Sequence, residues 1–343
     1  MLLRSAKFTD SINLISRLTP LRLYNALIIL FTYYYSIFIG KPFQKGMPVS
    51  ISFEPTTSCN LRCPECPSGL RSFTRPTGML EESLFKKTID EIASTLLFLT
   101  FYFQGEPYLH PQFLSLIKYA SDKNIYTSTS TNAHYLNDKN ARETVESGLD
   151  RLIISIDGTT QDTYQSYRQG GQLNKVIEGT KNIIKWKQKL NSKTPYLIFQ
   201  FLVVKPNEHQ IDDVKKLANE LGVDEVKLKT AQIYDFENGS DLMPTISKYS
   251  RYKLETDGKY KLKNELHNNC WKMWHSCVIT WNGLVVPCCF DKDAEYQMGD
   301  VKKFTFKEIW NNKTYKTFRQ TLLRKRGNIE MCKNCTEGAK VWA

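Results

Sequence analysis

Hydrophobic and polar positions follow one rhythm from about residue 49 to residue 231. The runs 50–54, 98–103, 125–131, 151–157, 196–204 and 225–231 are of strand length and rich in β-branched or aromatic residues. Between them, residues 81–96, 111–123, 138–147, 173–189 and 209–221 repeat their apolar positions every three or four residues, as helices do. Phe113, Leu116, Ile117 and Ala120 share one such face, and Gly222 stands where a helix C-cap belongs. Strand–helix alternation implies right-handed crossovers and a parallel sheet. The strands' near-continuous apolar character suits a sheet covered by helices on one face and closed around a filled interior on the other. Six units are too few for a closed eight-fold barrel. The expected fold class is therefore α/β, with the repeating part over residues 47–235 and a smaller, differently patterned domain over 236–343.

Residues 1–46 form a hydrophobic N-terminal segment of another kind. Residues 21–40 carry one charge, Arg22, and residues 26–40 carry none. Twenty such residues are long enough for a membrane span. The stretch reads as apolar all round, so burial in protein or lipid is expected. Tyr33, Tyr34 and Tyr35, with Arg17, Arg22, Lys41 and Lys45 flanking, suit a membrane interface. Three placements follow: an interfacial helix or re-entrant hairpin, a true span, or a core or oligomer helix. No small-residue cleavage site follows the run, so a secretory signal fits poorly.

Length, composition and charge narrow the class. A chain of 343 residues with 41% hydrophobic and 24% charged residues has an ordinary globular composition and room for a sizeable core. The formal charge of +12 points to an anionic contact. Nucleic acid is not favoured, because no zinc-finger, RNP or helix-turn-helix signature is present. Part of the excess is local: residues 1–50 hold six basic residues against Asp10, and residues 302–326 hold nine against Glu308. The second block reads as a solvated helix face. The nine Cys cluster at 59–66, 270–289 and 332–335, which is not a disulfide framework. Such spacing argues for metal in a reducing compartment, so the expected location is cytoplasmic, peripheral to the cytoplasmic membrane face if residues 21–40 reach it.

Cys59, Cys63 and Cys66 stand at C-x3-C-x2-C spacing directly after the first strand. Three thiolates in one tight loop are arranged to hold a metal centre, and an iron–sulfur cubane held by three of them keeps one iron open. A zinc site would want a fourth Cys or His nearby, and the next His is His110. The motif and its place after a strand resemble those of the radical SAM superfamily. That resemblance implies a partial (β/α)6 TIM-type barrel, a 4Fe-4S cluster held by Cys59, Cys63 and Cys66, and S-adenosylmethionine bound at its open iron. It also implies a set of cofactor contacts. Gln104-Gly105-Glu106 looks like the family's GGE motif, with Gln104 in place of the first Gly; Glu106 would accept from the methionine ammonium. Asn132 ends the third strand beside the cofactor. Ser155, in Ser-Ile-Asp-Gly, with Arg168 thirteen residues on, resembles the ribose- and carboxylate-binding element. Glu65 departs from the aromatic common before the third Cys.

A second set follows the barrel: Cys270, Cys288, Cys332 and Cys335. Residues 278–286 around Asn282-Gly283 read as a hairpin with a type I′ turn, and residues 306–324 as one helix leading to Cys332-x2-Cys335. Together they can gather four thiolates, which complete a cluster with no open iron. The pattern resembles the SPASM/twitch domains of radical SAM enzymes, closest to the smaller twitch form, and implies an auxiliary 4Fe-4S cluster. A structural zinc ribbon would take the same ligands. Cys277 and Cys289 read as packed or inert thiols.

The resemblance spans residues 49 to 337. It implies a radical SAM oxidoreductase in which an electron from a flavodoxin- or ferredoxin-type donor splits S-adenosylmethionine. The resulting 5′-deoxyadenosyl radical takes hydrogen from an unidentified substrate, and the auxiliary cluster relays electrons. Three substrate classes stay open: a small polar metabolite, a peptide or protein side chain, and a lipid-linked molecule. Tyr234, Asp235 and Glu237 are candidate bases, and no catalytic acid or base is assigned. A zinc-bound scaffold or RNA-binding protein is the reading from a different class.

Overall fold

The computed structural model describes residues 2–336. Two helices, α1 (Leu2–Ser16) and α2 (Pro20–Ile39), precede the repeating part. The repeat runs β1 (Ser50–Phe53), α3 (Pro67–Leu70), α4 (Glu82–Ile92), β2 (Phe98–Thr100), α5 (Phe113–Asp122), β3 (Tyr126–Thr131) and α6 (Asp138–Glu146). It continues through β4 (Arg151–Ser155), α7 (Gln161–Tyr167), α8 (Leu173–Lys189), β5 (Tyr196–Val203), α9 (Ile211–Leu221) and β6 (Glu225–Thr230). Strands β1 to β6 lie side by side in chain order, every pair parallel, as in a partial barrel. A ladder of rings from Phe53 to Phe85, Phe101 and Phe113, centroids 5.3, 4.9 and 5.3 Å apart, packs α4 and α5 against the start of this sheet.

The later chain joins the same sheet. After the ribbon of β7 (Tyr252–Leu254) and β8 (Tyr260–Leu262) come α10 (Lys272–His275), β9 (Ser276–Ile279), β10 (Leu284–Val286) and β11 (Gly299–Asp300). Strand β9 pairs parallel with β1, from Ser50↔Ser276 to Phe53↔Ile279, so β9, β10 and β11 extend the barrel sheet from its first strand. The expected hairpin is present, but its turn is not type I′. Only Gly283 has positive φ, and the Gly283 N–H donates to the Thr280 carbonyl at 2.9 Å, as in a type I turn closed by a glycine bulge. The single helix expected over 306–324 is two, α11 (Phe306–Asn311) and α12 (Lys313–Lys325), ahead of α13 (Glu330–Lys333). Asn312 leaves the helical region and caps α12 through its side chain, which accepts from the Tyr315 N–H. The basic block is not wholly a solvated face either: Arg319 and Arg326 are buried. Arg319 lies over the Trp310 and Tyr315 rings, both at 4.4 Å.

The strand expected over 98–103 stops at Thr100, because the chain must bend so that Gly105, at φ +74°, can lie against the loop that follows β1. That loop is pinned at its root by Glu54. The Glu54 carboxylate is fully buried and takes two bonds from Arg75, at 2.9 and 2.6 Å, and one from the Trp281 N–H at 3.2 Å. The Arg75 Nε donates in turn to the Lys292 carbonyl at 2.7 Å. One ion pair thus joins the end of β1, the segment after α3, and the C-terminal domain.

Helix α2 is long and apolar enough to cross a membrane, yet 28% of its apolar window is buried in the protein. Its composition predicts burial in protein or lipid, and the protein itself covers only one side of the helix. Its inward positions are Arg22, Asn25, Ile29, Thr32, Tyr33 and Ser36, so its polar side chains face the protein. Arg22 donates to the carbonyls of Ala93 and Lys123, just past the ends of α4 and α5, and to those of Arg17 and Asn124. A cation there satisfies orphan carbonyls at helix C-termini.

Removing Arg75 leaves Glu54 charged, buried and unpaired, which costs on the order of 3–5 kcal/mol. Arg75→Met should lower the stability measured by denaturant unfolding by about that much. The double variant Glu54→Met/Arg75→Met should recover most of it. An unchanged single variant would show that the pair does not hold the domains together.

Candidate functional site

The carboxyl ends of β1 to β4 converge on one cavity of about 210 Å³. Cys59, Cys63 and Cys66 line it together with Gly105, Glu106, Asn132, Ser155 and Arg168. The cysteine loop is shaped by its own backbone: the Cys66 N–H donates to the Cys63 carbonyl at 3.3 Å, and Cys66 begins α3. Gly69 of α3 sits where a Cβ would be 2.6 Å from Cys63 backbone atoms. A Cβ on Gly105 would likewise stand 2.3 Å from the Thr56 carbonyl and 2.7 Å from that of Ser58. The Gly105 N–H donates to Ser68 Oγ at 2.9 Å, and the Glu106 N–H to the Ser58 carbonyl at 2.7 Å. The close approach that this glycine permits is therefore to the cysteine loop itself.

Glu106 is buried and accepts from Thr131 Oγ1 at 2.7 Å and the Asn132 N–H at 2.8 Å. Burial pushes its carboxyl up to about 7, since these neutral donors offset only part of the lost hydration. A carboxylate so placed is suited to an ammonium. Asn132 holds the cysteine loop through Asn60 Oδ1 at 2.8 Å. Arg168 donates from Nε to Asp157 at 2.5 Å and from Nη1 to Cys63 Sγ at 3.7 Å. Asp157 and Cys63 thus each hold part of the guanidinium, and Arg168 lines the cavity. Burial raises the Cys59 thiol to about 12 and raises that of Cys63, against which Arg168 acts. Thiols in this state ionise when a metal cation supplies the missing charge, which fits a cluster ligand set. Gln104 sits outside the cavity lining, its Oε1 3.9 Å from Cys66 Sγ.

Tyr102, Thr131 and Tyr167 also line the cavity. The sequence offers no motif for the two tyrosines: Tyr102 stands in the apolar run 98–103, and Tyr167 in the polar stretch before Arg168. Glu65, which replaces the usual aromatic, accepts from the Tyr234 N–H at 3.0 Å and so ties the loop to the exit of β6. Beside it opens a larger cavity of about 560 Å³, lined by Tyr234, Asp235, Glu237, Asp291, Lys292 and Glu330 among others. Lys292 donates to the Tyr234 hydroxyl at 2.7 Å.

In the C-terminal set, Cys270, Cys332 and Cys335 gather around Arg326, whose charge acts on the first two thiols and whose Nη2 lies 3.5 Å from Cys335 Sγ. Cys288 stands next to Cys289, and the Lys272 charge acts on Cys270 and Cys288 alike. Lys272 Nζ is 3.4 Å from Cys289 Sγ. Two cations beside a thiol-rich site offset thiolate charge, as a cluster requires. Arg326 had no signal in the sequence beyond its place in a basic block. Cys277 is packed in the core, hydrogen-bonded with Tyr315. Cys289 is half-buried and packed against the core, with Lys272 Nζ at its sulfur and Tyr102 nearby.

The radical SAM superfamily model matches residues 53–226, and an iron–sulfur cluster-binding domain model, SPASM, matches residues 270–336. A tungsten-containing aldehyde ferredoxin oxidoreductase cofactor-modifying protein of Pyrococcus furiosus is 25% identical over 318 residues, 82% of this chain and 86% of that protein. A PqqA peptide cyclase of Bradyrhizobium diazoefficiens is 26% identical over 64% of this chain; the match spans 57% of that relative's length. Among solved structures, anSMEcpe with bound AdoMet superimposes with a TM-score of 0.63 at 18% identity, covering 81% of each chain.

Gly105→Ala places a methyl inside the Thr56 carbonyl and in a left-handed conformation. It should cost the anaerobically reconstituted protein about half of its iron, the share carried by the first of two cubanes. Undiminished iron and sulfide would show that this contact does not shape the cysteine loop.

Proposed function

Because this chain belongs to the radical SAM superfamily and carries a SPASM iron–sulfur domain, we propose that it oxidises a peptide substrate by hydrogen-atom abstraction. As a member it is an enzyme that uses S-adenosylmethionine, a 4Fe-4S cluster and auxiliary iron–sulfur chemistry. With that membership the zinc-ribbon and RNA-scaffold readings fall away. When bound, the reduced cluster splits S-adenosylmethionine into methionine and a 5′-deoxyadenosyl radical, which takes hydrogen from an unactivated carbon.

In this reading Cys59, Cys63 and Cys66 hold the S-adenosylmethionine cluster, and Cys270, Cys288, Cys332 and Cys335 hold the auxiliary one. The single observation that carries it is the convergence of the first three thiols with Glu106, Ser155 and Arg168 on one cavity. Glu106 receives the methionine ammonium, and Arg168 receives the carboxylate. Gly105 and Asn132 hold the loop in place, Ser155 lies beside the ribose, and Gln104 supports Cys66. The wider cavity beside Glu65 admits substrate and excludes bulk water from the reacting carbon once filled. Its acid-rich lining, with Asp235, Glu237, Asp293 and Glu330, favours a cationic segment. The peptide class draws on the PqqA peptide cyclase relative. A flavodoxin- or ferredoxin-type protein supplies the electron.

Anaerobic reconstitution followed by dithionite and S-adenosylmethionine should release 5′-deoxyadenosine. Cys63→Ala should abolish that product, while Cys335→Ala should retain it and lose substrate oxidation. Product from Cys63→Ala would overturn the assignment of the first set.

The raised Glu106 carboxyl sets a pH dependence. A carboxyl lifted above its unfolded value costs the fold stability as pH rises from the ordinary carboxyl range through about 7, where the cost levels off, and a bound ammonium relieves that cost. The gain in melting temperature on adding S-adenosylmethionine should therefore be larger at pH 8 than at pH 6. Glu106→Gln should flatten the difference. Equal gains for the unaltered protein at both pH values would remove Glu106 from the ammonium site.

A further inference from the structure

Helix α2 turns its polar residues inward and its apolar residues outward. Phe31, Tyr34 and Phe38 recur at helical spacing on one exposed stripe, with Phe38 87% and Phe31 64% exposed. Phe8, Ile12 and Ile15 of α1 repeat the same spacing and are also exposed. Scattered surface apolar residues are ordinary; two adjacent helices with exposed apolar stripes are not.

The two helices cannot leave the body to span a bilayer. Arg22 holds the carbonyls of Ala93 and Lys123. Asn25 exchanges bonds with Met47 at 2.7 and 2.8 Å, and Ser36 does so with Phe43 at 2.9 Å. Tyr33 packs edge-on against Trp271 and Trp274 at 5.1 and 5.4 Å. Arg17 and Asn13 both bind Asp150, and Asp10 pairs with Arg151 and Tyr126. Those partners sit at the amino ends of β3 and β4, whereas the cysteine loop and Glu106 sit at the carboxyl ends of the strands. In a parallel sheet these are opposite ends, so the apolar stripes lie on the side away from the S-adenosylmethionine cavity.

We propose that this surface docks in plane on an anionic lipid bilayer, with the reaction cavity facing the aqueous side. Lys41 and Lys45 are exposed at the end of α2, and residues 1–49 contain no acid except the buried Asp10. This charge complements acidic headgroups, whereas a second copy of the same surface would meet like charge. Tyr24, Tyr34 and Tyr35 are exposed along α2 and suit the headgroup level. The docking works as an interfacial amphipathic helix does, with the protein body in the place of the polar face. Held this way, the enzyme meets substrate from the aqueous phase, which sets aside the lipid-linked class.

The test uses full-length, anaerobically reconstituted enzyme and vesicle flotation. It should float with phosphatidylcholine vesicles containing phosphatidylglycerol and far less with phosphatidylcholine alone. Phe31→Glu/Phe38→Glu should abolish flotation, and Lys41→Glu/Lys45→Glu should weaken binding to the acidic vesicles about tenfold or more. Both pairs are solvent-exposed and should keep full iron content and 5′-deoxyadenosine release. That release reads the radical chemistry separately from the docking. Absence of flotation with acidic vesicles overturns the proposal. So does a dimer, seen by light scattering without lipid, that Phe31→Glu/Phe38→Glu dissociates.

Discussion

A buried carboxylate at the end of the first strand governs how this protein is put together. Glu54 has no access to water, so its charge is tolerable only while Arg75 grips both oxygens and the Trp281 N–H adds a third bond. Arg75 also holds the Lys292 carbonyl. The cost of separating these charges places the root of the cysteine loop, the β9–β10 turn and the floor of the larger cavity at fixed distances. The loop cannot move without the C-terminal domain moving with it. The parallel pairing of β9 with β1 does the same work through backbone bonds.

Above that root, the site is organised by backbone approach more than by side chains. Gly105 presses on the start of the cysteine loop at Thr56 and Ser58, and Gly69 on Cys63, at separations no Cβ could occupy. Glu106 and Asn132 then act twice, each holding the loop and each facing the cavity. Arg168 is likewise divided between Asp157 and Cys63. Such doubled roles hold the cysteine loop and the cavity wall rigid, which is what radical chemistry needs if its reactive species is to meet one carbon only.

The N-terminal helices obey a different constraint. Arg22, Asn25 and Ser36 find partners in the chain outside α2, so a helix that composition marks as membrane-like is fastened by its few polar atoms. Its apolar atoms are what remains outside. Mean hydropathy is blind to this inversion, because it counts residues without asking which side each one takes.

Much of the architecture was legible in the chain itself. The six strands, the helices between them, the cysteine spacing and the order Cys59–Cys66, Glu106, Asn132, Ser155, Arg168 are local patterns, and local sterics and periodicity write them directly into sequence. The turn at Asn282 and the break at Asn312 are local choices between alternatives that the residue types alone leave open. The end of β2 at Thr100 was not legible, because it depends on the approach of Gly105 to a loop far back in the chain. The same holds for Arg326 among the C-terminal cysteines, Tyr102 and Tyr167 in the cavity wall, and the inward polar face of α2. The sequence by itself determined which elements form and which thiols stand close along the chain. Only the tertiary structure decided which charge sits beside which thiol and which face of each helix meets water, since burial and long-range pairing exist only once the strands have assembled.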